Sequence, residues 1–236
     1  MCGRFVSRIE AALERDWALN RPPPPFASFN VAPSMEVPVV RLDRAGGREA
    51  VLMRWGLIPR WAKDQRIGYR LINARAETLS AKPAFRLPFQ QQRCLIPAQG
   101  FYEWRRTAHG RVPYYIHPTD ESMLAFAGLW DGWQSPDGQR LRSCTIITTA
   151  ATRRLAPLHD RMPAIVSRDA FETWLTGGVG AAQQLLRPCT TIELDAYPVS
   201  PFVNKPGHDT PRCVEPLGGR VGEHGTGDGE SGLQDR

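Results

Sequence analysis

The chain has 236 residues, of which 42% are hydrophobic and 23% charged, a composition typical of globular proteins. That length fits one large domain or at most two small ones. No apolar run is long enough to span a bilayer, and the N-terminus lacks the basic and apolar segments of a secretory signal. We therefore expect neither a membrane-spanning nor a secreted protein, but a cytoplasmic one.

The charge balance favours an anionic partner. The net charge is +6, and the last twenty residues hold four acidic against two basic side chains, which leaves +8 for residues 1–216. Nucleic acid is the commonest partner of such a chain, and a generally basic protein without one is the alternative. The positive charge is nearly all Arg, because the chain has three lysines: Lys63, Lys82 and Lys205.

Five cysteines lie far apart in the sequence: Cys2, Cys94, Cys144, Cys189 and Cys213. They form neither a C-x-x-C pair nor a Cys/His cluster with the spacing of a zinc site. We therefore expect free thiols in a reducing compartment, no metal site and no cofactor.

The first predicted elements are a strand at residues 3–6 and a helix that ends near Asn20. Ser7 and Glu10 have the S-x-x-E spacing of a capping box ahead of that helix. The prolines of residues 22–25 then predict a loop or an extended segment.

Apolar runs predict most of the remaining elements. Strands are predicted over residues 36–42, 50–55, 94–97, 100–104, 114–117, 123–130, 142–148 and 192–199. Helices are predicted over residues 150–158, 168–175 and 181–187, the second with Ser167 as its cap. Many short strands with few helices indicate one α+β domain. Beyond residue 204 the chain is rich in Gly, Pro and charge, and we predict disorder from about residue 217.

Cys2 follows the initiator methionine directly. If Met1 is removed, Cys2 carries a free α-amine beside its thiol, and this 1,2-aminothiol can condense with an aldehyde to an imine and then close to a thiazolidine ring. An α-amine with a pKa of about 7.7–8.0 is partly neutral and nucleophilic near pH 7. A nearby cation such as Arg4 would lower the pKa of the thiol. An ordinary small residue after Met1 is the alternative.

Three polar residues lie where apolar or turn-forming neighbours surround them. Asn73 follows two apolar residues, and Glu103 stands between aromatics, where desolvation raises the pKa of a carboxyl group. His159 precedes an Asp-Arg pair. The structural alternatives are an outward-facing Glu103 and a histidine that is merely hydrogen-bonded in the fold.

Seven motifs occur in one order: MCGR (1–4), NVAP (30–33), WGLIP (55–59), NARAET (73–78), RCLIP (93–97), GFYEW (100–104) and HDRMP (159–163). Together they resemble the SRAP family, the SOS response-associated peptidases, which crosslink to abasic sites in DNA. The resemblance covers residues 2–204 and implies a single domain of mixed, mostly antiparallel β-sheets with a barrel-like core and a few peripheral helices. Residues 205–236 would form a tail. One departure is Thr152, where the family commonly has Asn.

The resemblance implies roles for four catalytic residues. The amine of Cys2 would attack the aldehyde of an abasic site, and its thiol would close the ring. Asn73 would hold the N-terminal residue, Glu103 would move protons, and His159 would hydrogen-bond the sugar and assist ring opening. The peptidase name would refer to removal of Met1, either by the protein itself or by general methionine removal.

The resemblance also implies a DNA-binding surface. Arg4, Arg75 and Arg161 would bind the flanking phosphates, and Trp55 or Trp61 would shape the groove or stack on bases. The implied partner is single-stranded DNA with abasic sites, or a junction of single and double strand, bound by a monomer without a membrane. Such a protein would be associated with the nucleoid while on DNA. From the residues alone, Arg75 and Glu77 could instead pair with each other, and both tryptophans could belong to the core.

Three other functions remain open from the sequence. Cys2, His159 and Asn73 superficially match the Cys/His/Asn set of a peptidase acting on other proteins. A nucleic-acid-binding module without chemistry would use the same basic surface. A lyase acting through an imine would use the amine of Cys2 and proceed to β-elimination.

Overall fold

The computed structural model describes residues 2–9 and 12–217, and within these residues no helix is long and apolar enough to cross a membrane. Its strands are β1 (Phe5–Arg8), β2 (Ala27–Val31), β3 (Glu36–Leu42), β4 (Arg48–Trp55), β5 (Asn73–Arg75), β6 (Arg93–Ala98), β7 (Gly100–Thr107), β8 (Gly110–Pro118), β9 (Leu124–Gln134), β10 (Arg140–Ala150), β11 (Arg161–Pro163) and β12 (Leu194–Pro198). Its α-helices are α1 (Ala12–Asp16), α2 (Pro83–Gln91), α3 (Phe171–Thr176) and α4 (Val179–Leu185). Short 3₁₀ helices cover Gln65–Arg70, Ala76–Thr78, Arg168–Ala170, Pro201–Asn204 and Pro211–Val214.

Five strands close into a barrel in the order β4-β3-β6-β9-β10, and β10 returns to β4 as its parallel neighbour. The other pairings around the barrel are antiparallel. One face of these strands packs on α2 and α3, with Phe89 and Trp174 fully buried. This architecture confirms the predicted α+β fold with a barrel-like core and peripheral helices.

The last part of β10 pairs with two short strands that carry predicted site residues. Ile146 pairs with Asn73 of β5 on the β4 side, and Ala150 pairs with Arg161 of β11 on the β9 side. Main-chain hydrogen bonding to one strand therefore sets the relative positions of the NARAET and HDRMP segments.

The N-terminal strand lies inside a second, antiparallel sheet of five strands in the order β12-β8-β7-β1-β2. Phe5 of β1 pairs with Phe101 on one side and Val31 on the other. The Phe5 ring packs edge-on against Trp55 of the barrel, with 5.0 Å between the ring centroids. Strand β1 is thus fixed between β2 and β7 within its sheet and packs against the barrel.

A buried polar hub joins this N-terminal strand to the C-terminal segment. Asn30 is fully buried, and its Nδ2 donates to the carbonyls of Val203, Lys205 and His208. Its Oδ1 accepts from Arg4 Nη1 at 2.8 Å, and the same guanidinium donates to Val203 and Asn204 carbonyls. Asn30 therefore provides hydrogen bonds to backbone carbonyls of residues 203–208, a segment that does not pair with a strand there.

The division of the chain at residue 204 stays a prediction, and the described residues beyond it pack on the sheet. Cys213 is fully buried, and Tyr197 Oη donates to Val214 O at 2.8 Å. Phe29 N–H donates to Asp209 Oδ1 at 2.5 Å. The predicted disorder falls mainly on residues 218–236, which lie outside the described residues.

The predicted capping role of Ser7 is wrong. Ser7 lies inside β1, is fully buried, and donates its hydroxyl to Pro97 O at 2.8 Å. Helix α1 begins only at Ala12, and the other half of the predicted capping box, Glu10, lies outside the described residues. Ser7 belongs to a strand and not to a helix cap because it pairs with Ser28 of β2.

The predicted helix over residues 150–158 is also wrong. Ala150 ends β10, and two overlapping turns follow: the Leu155 and Ala156 N–H groups donate to Thr152 O, and the Leu158 and His159 N–H groups donate to Leu155 O. Pro157 has no N–H group to donate to Arg153 O, so the two turns do not join into a continuous helix. The second turn delivers His159 to the site.

Replacing Asn30 by Ala is expected to destabilise the protein by about 2–4 kcal/mol, because four hydrogen bonds of a buried amide are lost together. Urea unfolding followed by circular dichroism measures the change. Asn20→Ala is the control: Asn20 is exposed and bonds to Asp43, so the same substitution should cost less than about 1 kcal/mol. Equal costs at the two positions would contradict the hub.

Candidate functional site

Cys2 lies just before β1, with a fully buried side chain in the core that contains Phe5 and Trp55. Burial, and secondly the charge of Glu103, raise the pKa of the Cys2 thiol, so the sulfur keeps its proton near neutral pH. The Arg4 guanidinium, expected to lower this pKa, instead donates to Asn30, Val203 and Asn204. Met1 lies outside the described residues.

Asn73 holds the main chain of Cys2. The pairing of β5 with β10 places it there, and its Nδ2 donates to Cys2 O at 2.7 Å. Its Oδ1 is buried and has no hydrogen-bond partner among the described residues. An unused acceptor in the interior is unusual, and this one belongs to the same amide that holds Cys2. The amide can therefore accept a further hydrogen bond at the chain terminus.

Glu103 lies on β7, next to the N-terminal strand, and is 3% exposed. Burial raises the pKa of its carboxyl group, as its aromatic neighbours in the sequence predict, and the positive charge of His159 opposes part of that rise. A carboxyl group with a raised pKa can both give and take a proton near neutral pH.

His159 has contacts that suit both protonation states of its ring. Its Nδ1 lies 2.9 Å from the N–H of Arg161, which donates to a neutral ring, and 3.0 Å from Asp160 Oδ1, which accepts from a protonated one. In the neutral ring this arrangement assigns the proton to Nε2. The side chain is 28% exposed, so the ring can reach a bound molecule.

The four predicted catalytic residues form one cluster. Asn73 touches Cys2, the charge of Glu103 acts on the Cys2 thiol, and the charge of His159 acts on Glu103. A protonated thiol, a carboxyl group of raised pKa and an imidazole are suited to a reaction with several proton transfers.

A cleft of about 410 Å³ opens beside this cluster and includes Asn73 in its wall. Its other walls combine cations with aromatic and apolar side chains, among them Trp61, Arg70, Arg75, Lys82 and Phe85. Arg75 is exposed, while its neighbour in the motif, Glu77, bonds elsewhere. Such a lining suits a nucleic-acid strand, whose phosphates need cations and whose bases need flat apolar partners.

The two predicted tryptophans have different positions. Trp61 is 57% exposed at the cleft and is free to stack. Trp55 is 1% exposed, and its Nε1 donates to Ile72 O at 2.9 Å, directly before Asn73. Trp55 therefore supports the strand that carries Asn73, and its ring is inaccessible to bases.

Arg161 forms a bidentate ion pair instead of an open phosphate site. Its Nη1 and Nη2 donate to the two carboxylate oxygens of Glu77 at 2.7 and 3.0 Å, and Nη2 also donates to Thr148 O. Hydrogen bonds from Arg161 hold the pKa of Glu77 below its usual range. This pair fastens β11 to the NARAET segment, and it replaces the Arg75–Glu77 pair considered from the sequence.

Sequence reasoning missed Arg70 and Lys82 as parts of the cleft, and also the support of the loop that carries Trp61. The carboxylate of Asp131, on β9, accepts from the backbone N–H of Arg60 at 3.0 Å and from its guanidinium. Trp133 Nε1 donates to Ala62 O at 2.7 Å. An Asp between two aromatic residues on a strand was the available signal.

A larger hollow of about 810 Å³ lies on the other face of the five-stranded sheet, against Tyr115, His117 and Tyr197. It contains none of the predicted site residues. The predicted residues that line a cleft, Trp61, Asn73 and Arg75, all lie at the smaller one.

The sequence model of the SOS response associated peptidase (SRAP) family matches residues 1–206. The chain belongs to this family. It is 41% identical to abasic site processing protein YoqW of Bacillus subtilis (strain 168) over 224 residues, which are 91% of this chain and 99% of that protein. It is 33% identical to abasic site processing protein HMCES of Gallus gallus over 264 residues, covering 92% and 78% of the two chains. A crystal structure of a Bacteroides thetaiotaomicron protein matches with a TM-score of 0.81 at 27% identity, covering 92% of this chain and 100% of that one.

Replacing Glu103 by Gln is expected to stabilise the fold at neutral pH. Because burial raises the pKa of Glu103, the folded state holds a proton that the unfolded chain loses above about pH 4.3. Between the pKa of Glu103 in the unfolded chain and its raised pKa in the folded protein, the free energy of unfolding of the wild type therefore falls as the pH rises. The variant has no carboxyl group at this position and lacks that fall.

Urea unfolding from pH 4 to pH 8 measures the difference between Glu103→Gln and the wild type. It should be small at the acidic end and favour the variant increasingly as the pH rises. Glu36→Gln, at an exposed carboxyl group, should track the wild type at every pH. If the free energies of unfolding of Glu103→Gln and the wild type differed by the same amount at every pH, the raised pKa would be contradicted.

Proposed function

We propose that the protein captures abasic sites in single-stranded DNA by forming a thiazolidine with the N-terminal Cys2. The observation that carries the proposal is the position of Cys2, held by Asn73 at the wall of a basic and aromatic cleft. An abasic site exists partly as a ring-opened aldehyde, which is the group that a 1,2-aminothiol traps. The names of the relatives, abasic site processing proteins, agree with this substrate.

The first step requires that Met1 has been removed. The amine of Cys2 then adds to the C1′ aldehyde carbon, and the resulting carbinolamine loses its hydroxyl group as water to give an imine. Glu103 supplies the proton for the departing water, because burial raises the pKa of its carboxyl group and so favours the protonated form. His159, with Nε2–H as donor, bonds the sugar oxygen while the ring opens.

The second step closes the ring. The sulfur of Cys2 adds to the imine carbon, its proton passes by way of Glu103 to the imine nitrogen, and overall one water is released. Burial keeps the thiol protonated until a group is available to accept its proton. The sulfur therefore attacks only after the imine has formed. Ring closure competes with β-elimination, which would make strand cleavage a side reaction.

The cleft fits a single strand better than an intact duplex. An exposed indole such as Trp61 can stack only on a base that is free of its own neighbours. Arg75, Arg70 and Lys82 line the same cleft and would bind phosphates near the lesion. Of the residues predicted to bind DNA, Arg75 and Trp61 would contact the strand, while Arg4, Arg161 and Trp55 would hold the surrounding structure.

The geometry supports this chemistry over a peptidase acting on other proteins. In a Cys/His/Asn set the Asn orients the His, whereas here Asn73 donates to Cys2 O. His159 takes its Nδ1 contacts from Arg161 and Asp160. We assign the peptidase name of the family to the removal of Met1, which the intact mass of the purified protein would report.

Replacing Cys2 by Ala is expected to abolish the covalent product while leaving reversible DNA binding largely intact. The measurement is a denaturing gel after incubation with an oligonucleotide that carries one abasic site. Cys189→Ala is the matched control, since Cys189 is a free cysteine that lines a different hollow, and it should crosslink like the wild type. A wild-type protein without a denaturation-resistant band would sink the proposal.

Replacing Glu103 by Gln is expected to slow crosslinking by about 100-fold, because the proton carrier is lost. Single-turnover gels with protein in excess give the rate constant, and binding to a reduced abasic analogue shows whether affinity is preserved. Asn73→Ala should slow the reaction too, through loss of the bond that positions Cys2. A Glu103→Gln rate equal to that of the wild type would remove Glu103 from the mechanism.

A further inference from the structure

The hairpin of β7 and β8 ends in a cationic tip. Arg105, Arg106 and Arg111 are exposed there, and residues 104–119 contain no acidic residue. None of these three guanidinium groups forms an ion pair with a carboxylate within the described ranges. The tip therefore keeps a local charge of +3 that nothing in the described protein neutralises.

The tip is a rigid ribbon and not a loose loop. The pairing of β7 with β8 is continuous from Phe101 to Thr107, and the Thr107 hydroxyl donates to Gly110 O at 3.0 Å across the turn. Gly110 has a φ of 123°, which a residue with a side chain rarely adopts. At the base, Trp104 Nε1 donates to Asn204 Oδ1 at 2.8 Å. The cations are thus held in place before any partner binds.

The arrangement of these charges opposes folding of the hairpin. Arg106 and Arg111 are direct cross-strand partners, and like charges in that position repel each other. Their side chains point to the face opposite Glu103, because successive residues of a strand alternate. An anionic partner would turn this repulsion into a binding contribution.

The hairpin also continues the strand that carries Glu103. Arg105 lies two residues farther along β7 and points to the same face, about 7 Å beyond Glu103. Tyr114, half-buried and directly opposite Glu103, lies on that face as well. The cleft with Trp61, Arg70 and Lys82 opens instead beside Asn73, on the barrel. Cations therefore stand on two separate elements around the catalytic cluster.

We propose that the β7–β8 hairpin tip is a second nucleic-acid contact, which binds the phosphodiester backbone on one side of the lesion while the cleft binds the other side. This inference rests on the proposed function. Arg105 would bind the phosphates nearest the lesion, and Arg106 and Arg111 would reach those farther along. Between the two contacts the nucleic-acid strand would cross the catalytic cluster, and this path would present the damaged sugar to Cys2.

The test compares the triple variant R105Q/R106Q/R111Q with R44Q/R140Q/R187Q, which removes the same charge from three exposed arginines outside the hairpin. Equilibrium binding is measured by fluorescence anisotropy with strands that carry a reduced abasic analogue. One strand has the analogue at its centre, one has nucleotides only on the 5′ side, and one only on the 3′ side. A fourth probe replaces one flank by duplex.

The hairpin variant should bind the central probe roughly tenfold more weakly, and its salt slope should be lower by about 0.7 for each single-strand phosphate that the arginines no longer neutralise. The weakening should also appear with one truncated probe and vanish with the other, while the control variant stays within about twofold of the wild type. The duplex probe shows whether the flank bound by the hairpin is single- or double-stranded.

Three results would overturn the second contact: unchanged binding, equal weakening for the hairpin and control variants, or equal weakening on both truncated probes. The proposed function is judged separately, by whether the wild type crosslinks an unreduced abasic strand. A crosslinking wild type with an unaffected hairpin variant would reject only the hairpin contact.

Discussion

The hydrogen bond from Asn73 to the carbonyl of Cys2 joins the beginning of the chain to the barrel, and the site depends on it. A chain terminus is normally the least ordered part of a protein. Here strand pairing with β2 and β7 fixes the residues after Cys2, and the Arg4–Asn30 hub fastens the same strand to residues 203–208. Cys2 is therefore held in place much as a residue of a core strand is.

The same burial that orders the terminus sets its acid–base properties. Cys2 and Glu103 are both removed from water, and burial raises the pKa of each. A free aminothiol with an ionised sulfur would react with many electrophiles, whereas a buried, protonated thiol waits for a proton acceptor. A carboxyl group held in the interior without full hydration costs stability, and in the proposed reaction the same group would move protons in both steps.

The sequence predicted most strands, because apolar runs and alternation report burial directly, and its ordered motifs singled out four residues that the fold brings into one cluster. Its predictions failed where contacts between distant parts of the chain, or a single proline, determine the local structure. Ser7 has the spacing of a helix cap but pairs as a strand residue, and the segment after Ala150 has helix-forming residues but meets Pro157. It also could not tell which partner an arginine takes, since an ion pair such as Arg161–Glu77 joins residues 84 positions apart.

The arginines show how structural and binding roles separate within one fold. Arg4, Arg93 and Arg161 belong to three of the recognisable motifs, yet each donates to carbonyls or carboxylates of the protein itself. A guanidinium group with its donors satisfied internally has little left for phosphate. Cations for an external partner must lie outside such networks, as Arg70, Lys82 and the hairpin arginines do. Arg4, Arg93 and Arg161 therefore explain why the site keeps its shape, and the exposed arginines outside such networks, Arg75 of the NARAET motif among them, indicate where a polyanion would lie.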